Sequence, residues 1–362
     1  MINNLILKAP INNLSLGNVS YNIIRELYRK NINLALFPTK NTVDLSSFSN
    51  IDNDLSSYIN EAIKNRYNKI NKNTPFLNIW HINGAEDKMS DYNILYTFHE
   101  TGQATPQEVN ILNTYDRCVF SSNFSKDYFS DAGVENSNHS PLGFDEDFFE
   151  TKKEYMSDKI HFGLMGKWEK RKNTEKIIRM WSERFGDDPK YQLTCCVGNK
   201  FLKNEEIAKL KKSTLNNRQY HNINFLPWLK TNAQVNDYLN SIDIDLGGLS
   251  GGEGWNLPVF NSTCLGKLPI VLNCSSHKDW ATEDNSVLVE PKERIEIYDQ
   301  KFFYKDLEFN QGYMYTFNKD QFNSALDKAL DIISKNKYNI NGTKLKNKFT
   351  YSNTVDSIIN SL

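Results

Sequence analysis

The residues best placed to do chemistry in this 362-residue chain lie in one stretch, Leu246–Asn273, LGGLSGGEGWNLPVFNSTCLGKLPIVLN. It reads as a strand, a glycine-rich loop, a helix opening near Leu257, a stop at Gly266 and a second strand. A glycine-rich turn ahead of a helix lets backbone N–H groups approach an anion, and the helix dipole favours negative charge there. No Gly-Lys-Ser/Thr follows the glycines, so the loop is not a P-loop. A carboxylate, Glu253, stands where a loop built for phosphate alone would exclude negative charge. Sugar hydroxyls beside a phosphate are the partners that suit an acid in this place.

Two further clusters flank this one in the alternating pattern. In Gly163–Asn173, GLMGKWEKRKN, a strand ends at Gly166 and four cations follow, Lys167, Lys170, Arg171 and Lys172. Alone, such a cluster reads as a solvated helix start; its place upstream of the Glu253 loop turns the reading toward an anion. In Ile94–Gly102, ILYTFHETG, a strand runs into His99 and Glu100, at the carboxyl end where open α/β sheets bind ligands. His81, in NIWHING, ends the preceding strand candidate. A single histidine after a strand is, by itself, more often structural.

The motif Glu253-Gly254-Trp255-Asn256-Leu257-Pro258, with Asn261 after seven intervening residues, resembles the signature of retaining GT-B glycosyltransferases of family 4. There an EGfGLP stretch is followed at the same spacing by a second Glu, which is Asn261 in this chain. The resemblance implies that Glu253 holds a donor sugar and that Asn261 contacts ribose hydroxyls without a charge. It puts Gly254, Trp255, Asn256 and Leu257 on the donor-binding side, and His99 at the catalytic site, facing the sugar from the first domain. It gives Lys167 and Lys172 the donor diphosphate, with Arg171 as alternate to Lys172. Glu100 and His81 would orient His99 or the acceptor. The loop Leu14–Ser20 sits where the family's glycine loop meets diphosphate and acceptor, with Gly17 and Asn18 as contacts. YDRCVFSSNFSKDYFS (115–130) and PLGFDEDF (141–148) continue the similarity, which spans about residues 1 to 290.

The elements that must position these residues alternate along the chain. Leu5–Leu7, Asn33–Phe37, Phe76–Trp80, Asn93–Phe98 and Asp116–Ser121 are short apolar strand candidates, with a loop at Pro10–Ser20 and a helix at Tyr21–Lys30. A polar, acidic linker is expected at Ser140–Asp158. The pattern restarts with strands at Ile160–Met165, Tyr191–Val197, Ile223–Phe225, Ile242–Leu246 and Leu268–Leu272, and helices at Thr174–Phe185, Asn204–Lys211 and Asn232–Leu239. Short strands separated by helical stretches give an α/β fold of two Rossmann-like domains. With the resemblance, this becomes a GT-B architecture: an acceptor domain over 1–150, a nucleotide-sugar domain over 151–320, and a helical tail over 321–362 packing back on the first domain.

Composition narrows the partners. With 39% hydrophobic and 12% aromatic residues the chain can build real cores, and its net charge of −1 announces no nucleic-acid or membrane surface. Five cysteines without a CxxC pair suit buried thiols in a reducing compartment. The apolar stretch of MINNLILKAP is too short for a signal peptide and no run approaches the ~20 residues of a membrane span, so a cytoplasmic protein is expected. Asp243-Ile244-Asp245 has the DxD form of metal-dependent transferases but lies in an apolar strand, and no metal site is expected. Lys64–Lys72, KNRYNKINK, reads as a solvated helix face. The resemblance implies a metal-independent, retaining hexosyl transfer, with no cofactor beyond a UDP- or GDP-linked sugar as co-substrate. The acceptor stays open among a glycan, a lipid-linked glycan and a modified DNA base. A nucleotide-sugar epimerase and a catalytically degenerate nucleotide- or glycan-binding module are the rival readings.

Overall fold

The structure, a computed structural model, describes residues 2–49, 51–153 and 155–360. Among the described residues the chain builds two six-stranded parallel sheets in succession. The first joins β1 (Asn4–Ile11), β2 (Asn33–Val43), β3 (Phe76–Ile79), β4 (Asn93–Thr97), β5 (Arg117–Phe120) and β6 (Ser137–His139) in the order β2-β1-β3-β4-β5-β6. Its helices are α1 (Ser15–Arg29), α2 (Asn53–Lys64), the short α3 (Arg66–Lys69), α4 (Pro106–Leu112) and α5 (Asn123–Asp131). The second joins β7 (Ile160–Lys167), β8 (Tyr191–Gly198), β9 (Ile223–Phe225), β10 (Ile244–Asp245), β11 (Leu268–Leu272) and β12 (Val287–Val289) in the order β12-β11-β10-β7-β8-β9. Its helices are α6 (Thr174–Phe185), α7 (Asn204–Thr214), α8 (Asn232–Ser241) and α9 (Leu257–Cys264). An antiparallel hairpin, β13 (Glu293–Glu296) and β14 (Tyr313–Thr316), precedes α10 (Lys319–Lys335), α11 (Ile340–Thr343), α12 (Leu345–Lys348) and α13 (Tyr351–Ile359).

The physical reason for this layering is that parallel strands covered by helices on both faces need apolar residues on both faces. Ile6, Leu7, Leu34, Leu36, Ile94 and Tyr96 in the first sheet, and Phe162, Leu193, Ile270 and Leu272 in the second, are fully buried. Helix α6 buries Ile177, Ile178, Trp181 and Phe185 along one stripe against the second sheet, worth roughly 1.5–3 kcal/mol per large side chain. Helix α4 opens on a capping box, Thr105 with Glu108, and has Pro106 in its first turn.

The tail, expected to pack on the first domain, divides: α10 lies against β11 and β12 of the second sheet, and the segment from Leu345 onward returns to the first. Helix α13 packs on α1, where Lys30 meets Asp356 at 2.7 Å, and Phe144 N–H donates to the Phe349 carbonyl at 2.9 Å. Only a glycine fits at 143, because a Cβ there would lie 2.1 Å from the Tyr351 nitrogen.

Several expected boundaries move. Helix α1 starts at Ser15, not near Tyr21, because the Asn12 side chain accepts the Leu14 N–H at 2.9 Å and turns the chain early. Strand β10 is only two residues long, since the Asp245 carboxylate takes the Gly247 N–H at 2.8 Å and bends the backbone out of the sheet. Strands β6 and β12 and the hairpin are missed by the sequence reading: β6 (SNH) is polar, β12 (VLV) is apolar but only three residues long, and the β13 sequence ERIE is largely exposed.

Candidate active site

The carboxyl ends of β3 and β4 face those of β7, β10 and β11, and the charged clusters meet between them. The glycine-rich loop is fixed before any ligand arrives. Asp245 anchors its start, accepting Gly247 N–H and the Ser262 hydroxyl at 2.5 Å; burial pushes this carboxyl up to about 6. Asn256 holds its end in the left-handed region at φ +71°, donating to the Gly247 carbonyl at 3.1 Å and to His277 Nε2 at 2.9 Å. His277 Nδ1 in turn donates to the Leu272 carbonyl at 3.0 Å, and burial lowers its pKa, so the ring is neutral with its tautomer fixed. Between these anchors the loop threads a narrow gap. A Cβ on Gly251 would lie 2.0 Å from the Tyr315 carbonyl of β14, and one on Gly252 2.4 Å from the Glu100 carbonyl.

The hairpin ties both sides. Tyr315 N–H donates to the Gly251 carbonyl at 2.8 Å, and Gly102 N–H donates to the Tyr313 carbonyl at 3.2 Å. Thr105 reaches the Glu308 carbonyl at 2.6 Å, and Asn310 N–H reaches Glu108 at 3.0 Å. The turn after β4 and the loop after β10 therefore share one strand as a common support.

Glu253 is 4% exposed and lies between two cations. Lys172 bonds its Oε1, and Arg171 Nη1 approaches its Oε2 at 3.2 Å. Burial alone would raise the carboxyl, but these cations hold it down at about 2. Arg171 also meets Glu169 at 3.1 Å and, from the other sheet, Glu100 at 3.4 Å. Glu100 stays below the usual carboxylate range because Arg171 and His81 outweigh its desolvation. Lys172 has its pKa lowered by burial, partly offset by Glu253. Lys167, at the end of β7, is half exposed and only 3.7 Å from Glu169, so it is free to turn. His81 is open to solvent while surrounded by protein, as on a cleft wall; desolvation lowers its pKa, and Glu100, Lys167 and Arg171 all act on it.

Of the residues singled out from sequence, the structure gathers Glu253, Lys167, Arg171, Lys172, Glu100 and His81. His99 lies beside them but is 2% exposed, its Nε2 against Thr101 Oγ1 at 2.9 Å and the Gln103 carbonyl at 3.0 Å, its ring edge-on to Phe129. Gly254 packs on Phe98, and its carbonyl accepts the Ser121 hydroxyl at 2.7 Å. Trp255 is 2% exposed and belongs to an aromatic cluster with Phe260 and Phe349, with Leu257 packed against the same core. Gly17 and Asn18 sit in the first turn of α1 rather than in a loop. Gly17 abuts Asn12, and Asn18 bonds the Leu14 carbonyl and accepts from Asn232, both at 3.3 Å. Asn261 is 4% exposed, and its side-chain oxygen has no hydrogen-bond partner. Asp243 accepts the His161 N–H at 2.9 Å, so both carboxylates of the DxD stretch serve the fold.

Sequence reasoning missed Glu169, Ser275 and His277. Ser275 accepts the Glu253 N–H at 3.2 Å from the turn after β11. The only available signal was CSSH directly after an apolar strand, in the same position relative to the sheet as the other three loops.

No protein-family model and no curated protein matches this chain. Solved structures do. Sucrose-phosphate synthase from Thermosynechococcus elongatus aligns with TM-score 0.69 and 11% identity over 99% of this chain and 97% of that one. Anabaena HepE in complex with UDP-glucose aligns with TM-score 0.67 and 12% identity over 99% and 100%. The lipopolysaccharide outer core galactosyltransferase WaaB, in its apo form, aligns with TM-score 0.61 and 14% identity over 99% and 98%. At these identities the likeness establishes the fold, which is GT-B: two Rossmann-like units across a cleft.

Proposed function

We propose that this GT-B chain is a glycosyltransferase that moves a hexose from a nucleotide-diphosphate sugar, UDP- or GDP-linked, to an acceptor hydroxyl. The observation that carries the reading is the Glu253 carboxylate, held ionised at the cleft between Lys172 and Arg171 and opposite Glu100. An ionised, buried acid beside a flexible cation suits sugar hydroxyls next to a diphosphate. The HepE structures with UDP and UDP-glucose support a nucleotide-sugar donor for this fold.

In this reading the diphosphate lies on Lys167 and Lys172. Three cations, Lys167, Arg171 and Lys172, and three carboxylates, Glu100, Glu169 and Glu253, balance at the site, so an arriving diphosphate draws Lys172 from Glu253 and turns Lys167 inward. Charge-assisted bonds of this kind are worth about 1.5–3 kcal/mol each and strengthen as the glycosyl–phosphate bond breaks. Glu253, freed on one side, accepts from donor-sugar hydroxyls. Asn261, whose side-chain oxygen is unpaired, accepts from the ribose. From the first sheet, Glu100 and His81 face the acceptor, and His99 holds the turn that presents Glu100. Transfer proceeds with retention by front-face attack, the leaving phosphate taking the acceptor proton, without a metal. The engagement of Asp243 and Asp245 in the fold supports the last point. The acceptor is a glycan, a lipid-linked glycan or a modified DNA base.

Thermal melts with UDP, GDP, ADP and CMP, each in EDTA and in magnesium, test this. A ligand at ~100 times its dissociation constant adds roughly 2.7 kcal/mol, and a metal-independent shift with one diphosphate is expected. No shift with any of them sinks the donor assignment.

A further inference from the structure

Arg171 differs from its cationic neighbours in being enclosed by three carboxylates, although its Nε makes no hydrogen bond. Its Nε faces Glu169 at 3.1 Å, its Nη1 donates to the Gly252 carbonyl at 2.7 Å and meets Glu253 at 3.2 Å, and its Nη2 meets Glu100 at 3.4 Å. Its own carbonyl accepts the Gly251 N–H at 2.7 Å and the Ser250 hydroxyl at 3.3 Å. The residue is 5% exposed. Lys172, by contrast, bonds one carboxylate oxygen, and the half-exposed Lys167 meets Glu169 at 3.7 Å and lies over the Phe201 ring.

We propose that Arg171 is a positioning residue, not a phosphate ligand: its guanidinium fork fixes the Gly251–Glu253 loop and ties it across the cleft to Glu100. Glu253 then takes its sugar-facing pose only when the two sheets are closed on each other. The phosphate and sugar in this statement rest on the transferase reading above; the clamp itself does not.

The planarity of the fork is what the role requires. One guanidinium reaches a carbonyl and three carboxylates in fixed directions, whereas an ammonium is a single point with three donors. Without the fork, Glu100, Glu169 and Glu253 converge on a space that, among the described residues, no other side chain bridges in this way. The remaining ionisable neighbours of Glu253 are Lys172 beside Arg171, and His277 and Cys274 on the turn after β11.

Three variants separate the roles: Arg171→Lys, Glu100→Gln and Lys172→Met. Binding of UDP and of GDP is measured by calorimetry, turnover under saturating donor, and amide exchange on the nucleotide-free protein. Arg171→Lys should lower kcat about 100-fold while changing the diphosphate Kd less than 3-fold; Lys172→Met should raise that Kd at least 10-fold. Glu100→Gln should lower kcat about 10-fold with Kd unchanged. In the nucleotide-free Arg171→Lys protein, the amides of Gly251 and Glu253 should exchange at least 10-fold faster while those of β8 do not. A Kd loss in Arg171→Lys equal to that in Lys172→Met overturns the proposal, as does unchanged exchange at Gly251 and Glu253. Full turnover in Glu100→Gln overturns the tie across the cleft. If the wild type binds neither diphosphate, the transferase reading fails, and the exchange experiment still decides the clamp.

Discussion

Replacing Asn261 with leucine should stabilise the nucleotide-free protein and weaken nucleotide binding, two effects of opposite sign. Asn261 lies on α9, 4% exposed, and its backbone carbonyl is used by the Leu265 N–H at 3.0 Å. Its side-chain oxygen is buried with no partner. An unpaired buried acceptor costs about 1–3 kcal/mol, and a leucine of similar size removes it and adds apolar contact. For a chain of this length that corresponds to a rise of about 1–5 °C in melting temperature. In the complex, the same oxygen accepts a ribose hydroxyl; leucine leaves that hydroxyl facing carbon, which costs about 1–3 kcal/mol, or roughly 5- to 150-fold in Kd. Scanning calorimetry without nucleotide gives the first number and titration with UDP and GDP the second. A 2′- or 3′-deoxy analogue closes the cycle, since the wild type should discriminate against one of them and the leucine variant against neither. A lower melting temperature with unchanged Kd would show that the amide is a packing residue and refute the ribose assignment.

Two other substitutions test the supports of the site. Trp255 buries its indole N–H without a partner inside the aromatic cluster, so Trp255→Phe should be neutral or stabilising by up to about 1 kcal/mol in denaturant melts, with nucleotide affinity intact; a loss of affinity would place the indole at the donor. Asp245 is held up at about 6, against 3.8 for the free side chain. Between those pH values the unfolded chain ionises this group while the folded one keeps its proton, so stability falls as pH rises from about 4 to about 6. The cost, on the order of 3 kcal/mol, is present in full above that window. Asp245→Asn cannot titrate, so its melting temperature relative to the wild type should climb across the same window; a difference that is flat with pH would show that burial does not hold the proton.

What could be read from the residues, and what could not, divides along a physical line. Strands covered on both faces write themselves as apolar runs, so most of both sheets was legible, and Glu253 was legible because an acid stands in a glycine-rich loop ahead of a helix, where a loop built for phosphate alone would exclude negative charge. The supports of that loop were not, because each is a contact between distant segments with no local signature. Tyr315 joins Gly251 through backbone atoms alone, so the side chains of the hairpin say nothing about the pairing. His277 fixes Asn256 from 21 residues away, and its hydrogen bonds to Asn256 and to the Leu272 carbonyl set its tautomer. The same limit explains why a motif position does not fix a role. Trp255 shares the loop with Glu253, yet the αL turn at Asn256 and the start of α9 point its ring into the core, where Phe349 from the returning tail covers it. Arg171 and Lys172 are adjacent and equally basic, but one is enclosed by three carboxylates and the other bonds only one. Charge content was visible in the sequence; which charge is left free for a ligand is decided by packing. A test of the site should therefore compare neighbours of equal charge and unequal enclosure, as Arg171 and Lys172 are.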